Sequence, residues 1–183
     1  MKKLILLAIP AALVASPAFA QAASGSVGVT GTVGGRCAAL TPITGTFDLG
    51  ELSLTNGTID TAFSNHVTPL SKSFTIMCTS ADANVSIDAT PLDNTGDNST
   101  SGGYTGRVHY TATTVFQRVS GTHTYIYGTS NAGGVLAAPL GGRLANQPDN
   151  VTLSVSNGHT DNATDLLKSG TYNGVINITV SPL

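Results

Sequence analysis

Ser73-Phe74-Thr75-Ile76-Met77-Cys78-Thr79-Ser80-Ala81-Asp82-Ala83-Asn84-Val85-Ser86-Ile87-Asp88-Ala89 is the stretch on which the fold class turns. Phe74, Ile76 and Cys78 share one face of an extended chain. Val85, Ile87 and Ala89 then alternate with Asn84, Ser86 and Asp88. Side chains of a strand point to opposite faces in turn, so this period of two predicts two half-buried strands. The turn-like residues Thr79 to Ala83 between them predict a hairpin.

The same signal recurs downstream. Arg107 to Val119 is rich in strand formers, with Val108, Tyr110, Val115 and Phe116 as packing candidates. Tyr125 to Tyr127 predicts another short strand, and Val151, Leu153 and Val155 alternate cleanly. Gly170-Thr171-Tyr172 opens a final strand in which Tyr172, Gly174, Ile176, Ile178 and Val180 share a face. Between these lie a polar loop, Pro91 to Gly106, and a Gly/Ala/Pro-rich connection from Gly133 to Pro148. No window shows a sustained helical period; one helical turn is expected at Asn162 to Lys168. Seven or eight short strands with regular turn signals predict an all-β, immunoglobulin-like Greek-key sandwich, with a barrel as the alternative closure.

The first twenty of the 183 residues read as an export leader: Lys2 and Lys3, an apolar run from Leu4 to Val14, and Ala18-Phe19-Ala20 as the cleavage signal. That run is too short for a permanent membrane anchor, and no second long apolar run follows, so the chain is not expected to span a membrane. An exported, bacterial-type protein of the periplasm, cell surface or medium is expected. Without the two leader lysines, 8 basic against 10 acidic residues become 6 against 10. That balance argues against nucleic acid or anionic lipid as a partner. The remaining length suits one domain, residues 37–183, preceded by an arm, residues 21–36.

In the arm Val27, Val29, Gly31 and Val33 alternate with Gly28, Thr30 and Thr32, and Gly25, Gly34 and Gly35 flank them. This is a strand with one apolar face and few large side chains, shaped like a detachable segment. It either pairs within its own chain, with Gly34-Gly35 as the turn, or is exchanged between chains. Cys37 and Cys78 are the only cysteines, and in an oxidising compartment an isolated pair is most simply a disulfide. Cys78, on the apolar face of its strand, is expected to reach Cys37 across the core.

The order of these elements resembles the chaperone–usher pilins, and within them the spore coat U domain shared with archaic pilus subunits. The residues that carry it are the alternating arm, Cys37 at its end, Thr46-Phe47-Asp48-Leu49-Gly50, Cys78, and Gly170-Thr171-Tyr172. The resemblance implies a sandwich one strand short, first covered by a periplasmic chaperone at an outer-membrane usher. The arm of an identical or related subunit then completes it by donor-strand complementation. On that basis Val27, Val29, Gly31 and Val33 are the donor strand, and Tyr172, Ile176, Ile178 and Val180 belong to the acceptor groove. The function implied is a structural subunit of a surface fimbria. The alternatives are a self-complemented envelope protein of the spore coat U type and a carbohydrate- or host-binding adhesin domain.

Catalysis finds little support. His66, His109, His123 and His159 have no metal-ligand spacing, there is no Gly-x-Ser-x-Gly elbow, and Asp48, Glu51, Asp60 and Asp88 are scattered. No enzyme activity, metal or cofactor is expected. Asp93 to Asn98 is oxygen-rich but lacks a calcium-hand loop. The Asn-x-Ser/Thr triplets at Asn56, Asn84, Asn98, Asn150, Asn162 and Asn177 need no more than a turn role.

Overall fold

In the computed structural model residues 26–130 and 136–183 are described. The expected leader, arm residues 21–25 and residues 133–135 of the Gly/Ala/Pro connection lie outside them. The chain divides into two units, residues 1–32 and 33–183. Residues 26–32 of the first unit carry no strand assignment.

The second unit is all-β. Among the described residues its strands are β1 (Cys37–Ala39), β2 (Ser71–Phe74), β3 (Ile76–Cys78), β4 (Ala83–Ala89), β5 (Leu92–Asn94), β6 (Thr100–Ser101) and β7 (Tyr104–Thr105). They continue with β8 (Arg107–Arg118), β9 (Gly121–Gly128), β10 (Leu136–Pro139), β11 (Val151–His159), β12 (Leu166–Leu167), β13 (Tyr172–Asn173) and β14 (Ile176–Pro182). Pairing is antiparallel except between β12 and β7. One sheet runs β13-β5-β8-β11-β2, with β9 also on β8; a second runs β10-β4-β14. Their inward residues, Val85 and Ile87 from β4, Val108, Tyr110 and Phe116 from β8, and Val151 and Leu153 from β11, join one buried cluster. The two sheets therefore share a core, as a sandwich does.

The expected hairpin does not form. β4 pairs β10 and β14, whereas β3 pairs β1 and β2 pairs β11. Both halves of the stretch are buried as predicted, because alternation reports which face is covered and says nothing of which strand lies alongside. Ser73 to Cys78 is also not one strand. It breaks at Thr75, which leaves the β11 ladder and accepts the Leu40 amide at 2.8 Å. Beyond the break the fully buried Asn150 side chain takes over, accepting from the Ile76 amide at 2.9 Å and donating to the Ile76 carbonyl at 2.7 Å.

Cys37 and Cys78 are disulfide-bonded. They sit directly opposite one another in neighbouring strands, so the bridge links two strands of one ladder and does not cross the core. Asn162 to Lys168 holds no helical turn; Leu166 and Leu167 pair in β12 instead. The connection ending at Pro148 contributes β10 and two buried leucines, Leu140 and Leu144, and the Pro91–Gly106 loop contains β5, β6 and β7. Val115, a predicted packing residue, faces away from the buried side of β8 and is half-covered. Gly158 lies within a register shift in β11, and a Cβ there would meet the buried Phe63 ring at 2.6 Å. Only glycine lets the ring pack on that backbone.

Five carboxyls, those of Glu51, Asp60, Asp82, Asp93 and Asp97, are held below their ordinary range, and three of them show how this makes stability depend on acid. The Gly142 amide, at 3.0 Å, holds the Asp82 carboxyl below its ordinary range. Arg107 Nε at 2.7 Å does so for Asp93, and Lys168 Nζ at 2.7 Å for Asp97. A carboxyl lowered on folding contributes stability above its unfolded pKa of about 3.9 and loses it as pH falls through the folded value. The urea midpoint is therefore expected to hold from pH 7 to about 5 and to drop below about pH 4. Asp82→Asn should shrink the drop; an unchanged drop in that variant would remove Asp82 from the account.

Candidate functional site

β14 lies at the end of its sheet. It pairs β4 from Ile176 to Pro182, with no strand along its other edge among the described residues. Its inward residues oppose buried partners, Ile176 against Ala89, Ile178 against Ile87 and Val180 against Val85. Yet Ile176, Ile178 and Val180 are themselves only half-buried. An edge with free backbone groups and half-covered apolar side chains is a template for another strand.

Facing the Ile176 end of that edge is the segment 43–49. It belongs to no strand, and Gly45 to Phe47 take part in no backbone–backbone hydrogen bond among the described residues. Between the two opens a cavity of about 250 Å³, floored by Phe74, Tyr110, Leu153 and Val155. At its other end β14 closes on the chain just before β1, where a Cβ on Gly35 would meet Pro182 Cβ at 3.3 Å. A second, more polar cavity of about 900 Å³ adjoins the first through Phe47, Leu49 and Leu92 and is bounded by Asp48, Glu51 and Tyr172.

Val27, Val29 and Val33 are exposed, at 91%, 94% and 83%, and a Cβ on Gly31 would meet nothing within 4 Å. In the second unit the root of the arm is fixed at Thr79. The Thr79 Oγ1 accepts from the Arg36 amide and donates to the Gly34 carbonyl, both at 3.0 Å.

Three of the four expected groove residues, Ile176, Ile178 and Val180, share β14. Tyr172 does not: it lies in β13, pairs β5, and donates its hydroxyl to the Lys168 carbonyl at 2.8 Å. The final strand splits because its path changes sheets around Gly174, where a Cβ would meet the Pro91 carbonyl oxygen at 2.9 Å. Lys72 and the 43–47 segment were missed as parts of this site. Lys72 was readable, since Leu70, Lys72, Phe74 and Ile76 continue a period of two on the inward face.

Among the other expected chemistry-bearing residues, His109 and His159 prove to be register partners, with ring centroids 5.5 Å apart. His109 Nε2 lies 3.1 Å from Asp161 Oδ1. No group of three or more His, Cys, Asp or Glu among the described residues is arranged to hold a metal. No helix among them is long and apolar enough to cross a membrane. Within the Asp93–Asn98 loop, the buried Asn94 accepts from the Gly96 amide and donates to the Ser169 carbonyl, a turn-building role.

No family model matches the chain, and no curated protein or solved structure matches it either.

Proposed function

We propose that this chain is a structural subunit of a surface fibre, in which the segment 26–33 of one copy, paired as an added strand, completes the sandwich of the next. The observation that carries this reading is the uncovered edge of β14 beside an apolar cavity. An exposed segment bearing Val27, Val29 and Val33, with Gly31 between the last two, supplies a second apolar face to set beside that edge. Each valine contributes about 1.5–3 kcal/mol when fully buried, and the added strand brings a ladder of backbone bonds. On this reading the body is an immunoglobulin-like Greek-key sandwich one strand short. A periplasmic chaperone and an outer-membrane usher cover the edge in transit, and the finished fibre stands on the cell surface. No catalytic step or cofactor enters this function.

The test is to express the exported chain, a version lacking residues 26–33, and a Val27→Asp/Val29→Asp version. Each is then examined by size exclusion and negative-stain microscopy. The full chain is expected to give filaments or detergent-resistant ladders, and both altered chains monomers. A synthetic peptide of residues 26–35 should raise the melting temperature of the truncated chain by several degrees. Filaments unaffected by the deletion would refute the proposal. So would a monomeric full chain whose truncated form ignores the peptide.

A further inference from the structure

The cavity beside β14 is not purely apolar. Lys72 lines it, at an inward position of β2 opposite Leu153 and two residues from Phe74. Its ammonium stands 5.4 Å from the centre of the Phe47 ring. Gly45, at φ +125°, lets the backbone close on it: a Cβ there would meet Lys72 Cε at 3.3 Å and Nζ at 3.4 Å. The three ion pairs among the described residues are Arg107–Asp93, His109–Asp161 and Lys168–Asp97, so Lys72 is in none of them. Lys72 is half-buried and belongs to no ion pair among the described residues, so its ammonium sets a positive charge at an apolar hollow that favours an anionic group there.

A second donor lines the same space. Tyr110 is 3% exposed, and burial pushes its hydroxyl above the ordinary range with no hydrogen bond contributing. The Tyr110 hydroxyl has no protein partner among the described residues and is not sealed from solvent, so it is a donor free for a ligand in the cavity. Lys72 and Tyr110 can only donate to a carboxylate, so the donor set calls for an acceptor carried on an apolar body. An engineered apolar cavity of about 150 Å³ holds one benzene. At about 250 Å³ this one accepts a somewhat larger body.

We propose that the cavity between β14 and residues 43–49 binds an apolar monocarboxylate, with the carboxylate on Lys72 and Tyr110 and the hydrocarbon against Phe74, Leu153 and Val155. This goes beyond the fibre reading and does not depend on it.

The probe is decanoate, with decan-1-ol as its uncharged companion. Both are titrated by calorimetry into the full exported chain carrying Val27→Asp and Val29→Asp. These exposed positions lie outside the cavity, and the changes keep a neighbour's arm from filling it. One saturable decanoate site is expected. Lys72→Met on this background should weaken decanoate about tenfold or more and leave decanol unchanged. Tyr110→Phe, which removes no existing bond, should weaken decanoate by a smaller factor. Absence of saturable binding to the folded chain overturns the proposal. So does decanoate binding that Lys72→Met leaves intact; Lys72 would then be an inward charge guarding the β2 edge against aggregation. Failure of the 26–35 peptide to displace bound decanoate would count against the fibre reading alone.

Discussion

Replacing Asn150 by alanine is expected to cost about 3–5 kcal/mol of folding free energy, a large part of what a domain of this size has. Its side chain makes three hydrogen bonds, two of them buried. Oδ1 accepts from the Ile76 amide at 2.9 Å, and Nδ2 donates to the carbonyls of Ile76 and Ala145, each at 2.7 Å. Ile76 is buried and has already left the β11 ladder, so no neighbouring strand stands ready to take over its amide. Alanine would leave the Ile76 amide and carbonyl without partners, and each orphan costs about 1–3 kcal/mol, whereas the Ala145 carbonyl still accepts from the Gln147 amide at 3.1 Å. Asn150→Asp keeps one acceptor but loses both donations and buries a charge, so it should be no milder near neutral pH. Urea denaturation measures both. A loss below about 1 kcal/mol in Asn150→Ala would show that Thr75 alone holds the strand where it changes sheets.

The disulfide carries the second large effect. Cys37 and Cys78 are 41 residues apart in sequence, and closing a loop of that size stabilises by about 4 kcal/mol in the chain-entropy account. The double variant Cys37→Ser/Cys78→Ser should therefore unfold at much lower urea while keeping the same strands. Reduced wild-type protein should match it. The local effect falls on β1, three residues long, whose other pairs are Ala38 with Met77 and Ala39 with Ile76. Faster hydrogen exchange at Met77 and Leu40 is expected in the variant. Identical urea midpoints for the oxidised and reduced chain would refute the assignment.

Strands could be read wherever one face is buried along a regular run. β8, β9 and β11 lie where Val108, Tyr125 and Val151 placed them. Partner choice could not be read, because a period of two is identical in a hairpin and in strands of different sheets. Asn150 was hidden for a different reason. In sequence it is one more Asn before a Thr two residues on, and only the passage of Ile76 beside it makes it structural. Of the candidate site, the alternation of Ile176, Ile178 and Val180 was visible. The facing segment 43–47 has no periodicity, and its importance comes from bonds it does not make.

The Thr79 clamp on the arm's root bears on how an assembly would end. Gly34 and Arg36 are anchored beside the Pro182 end of β14, while the cavity opens at the Ile176 end. A plug and a socket at different places on one body make a head-to-tail joint, which builds an open row unless two copies swap arms or the row closes into a ring. However long such a row grows, one socket stays empty at one extremity and one plug stays idle at the other. Length control would then belong to whatever caps the vacant socket without offering a plug of its own.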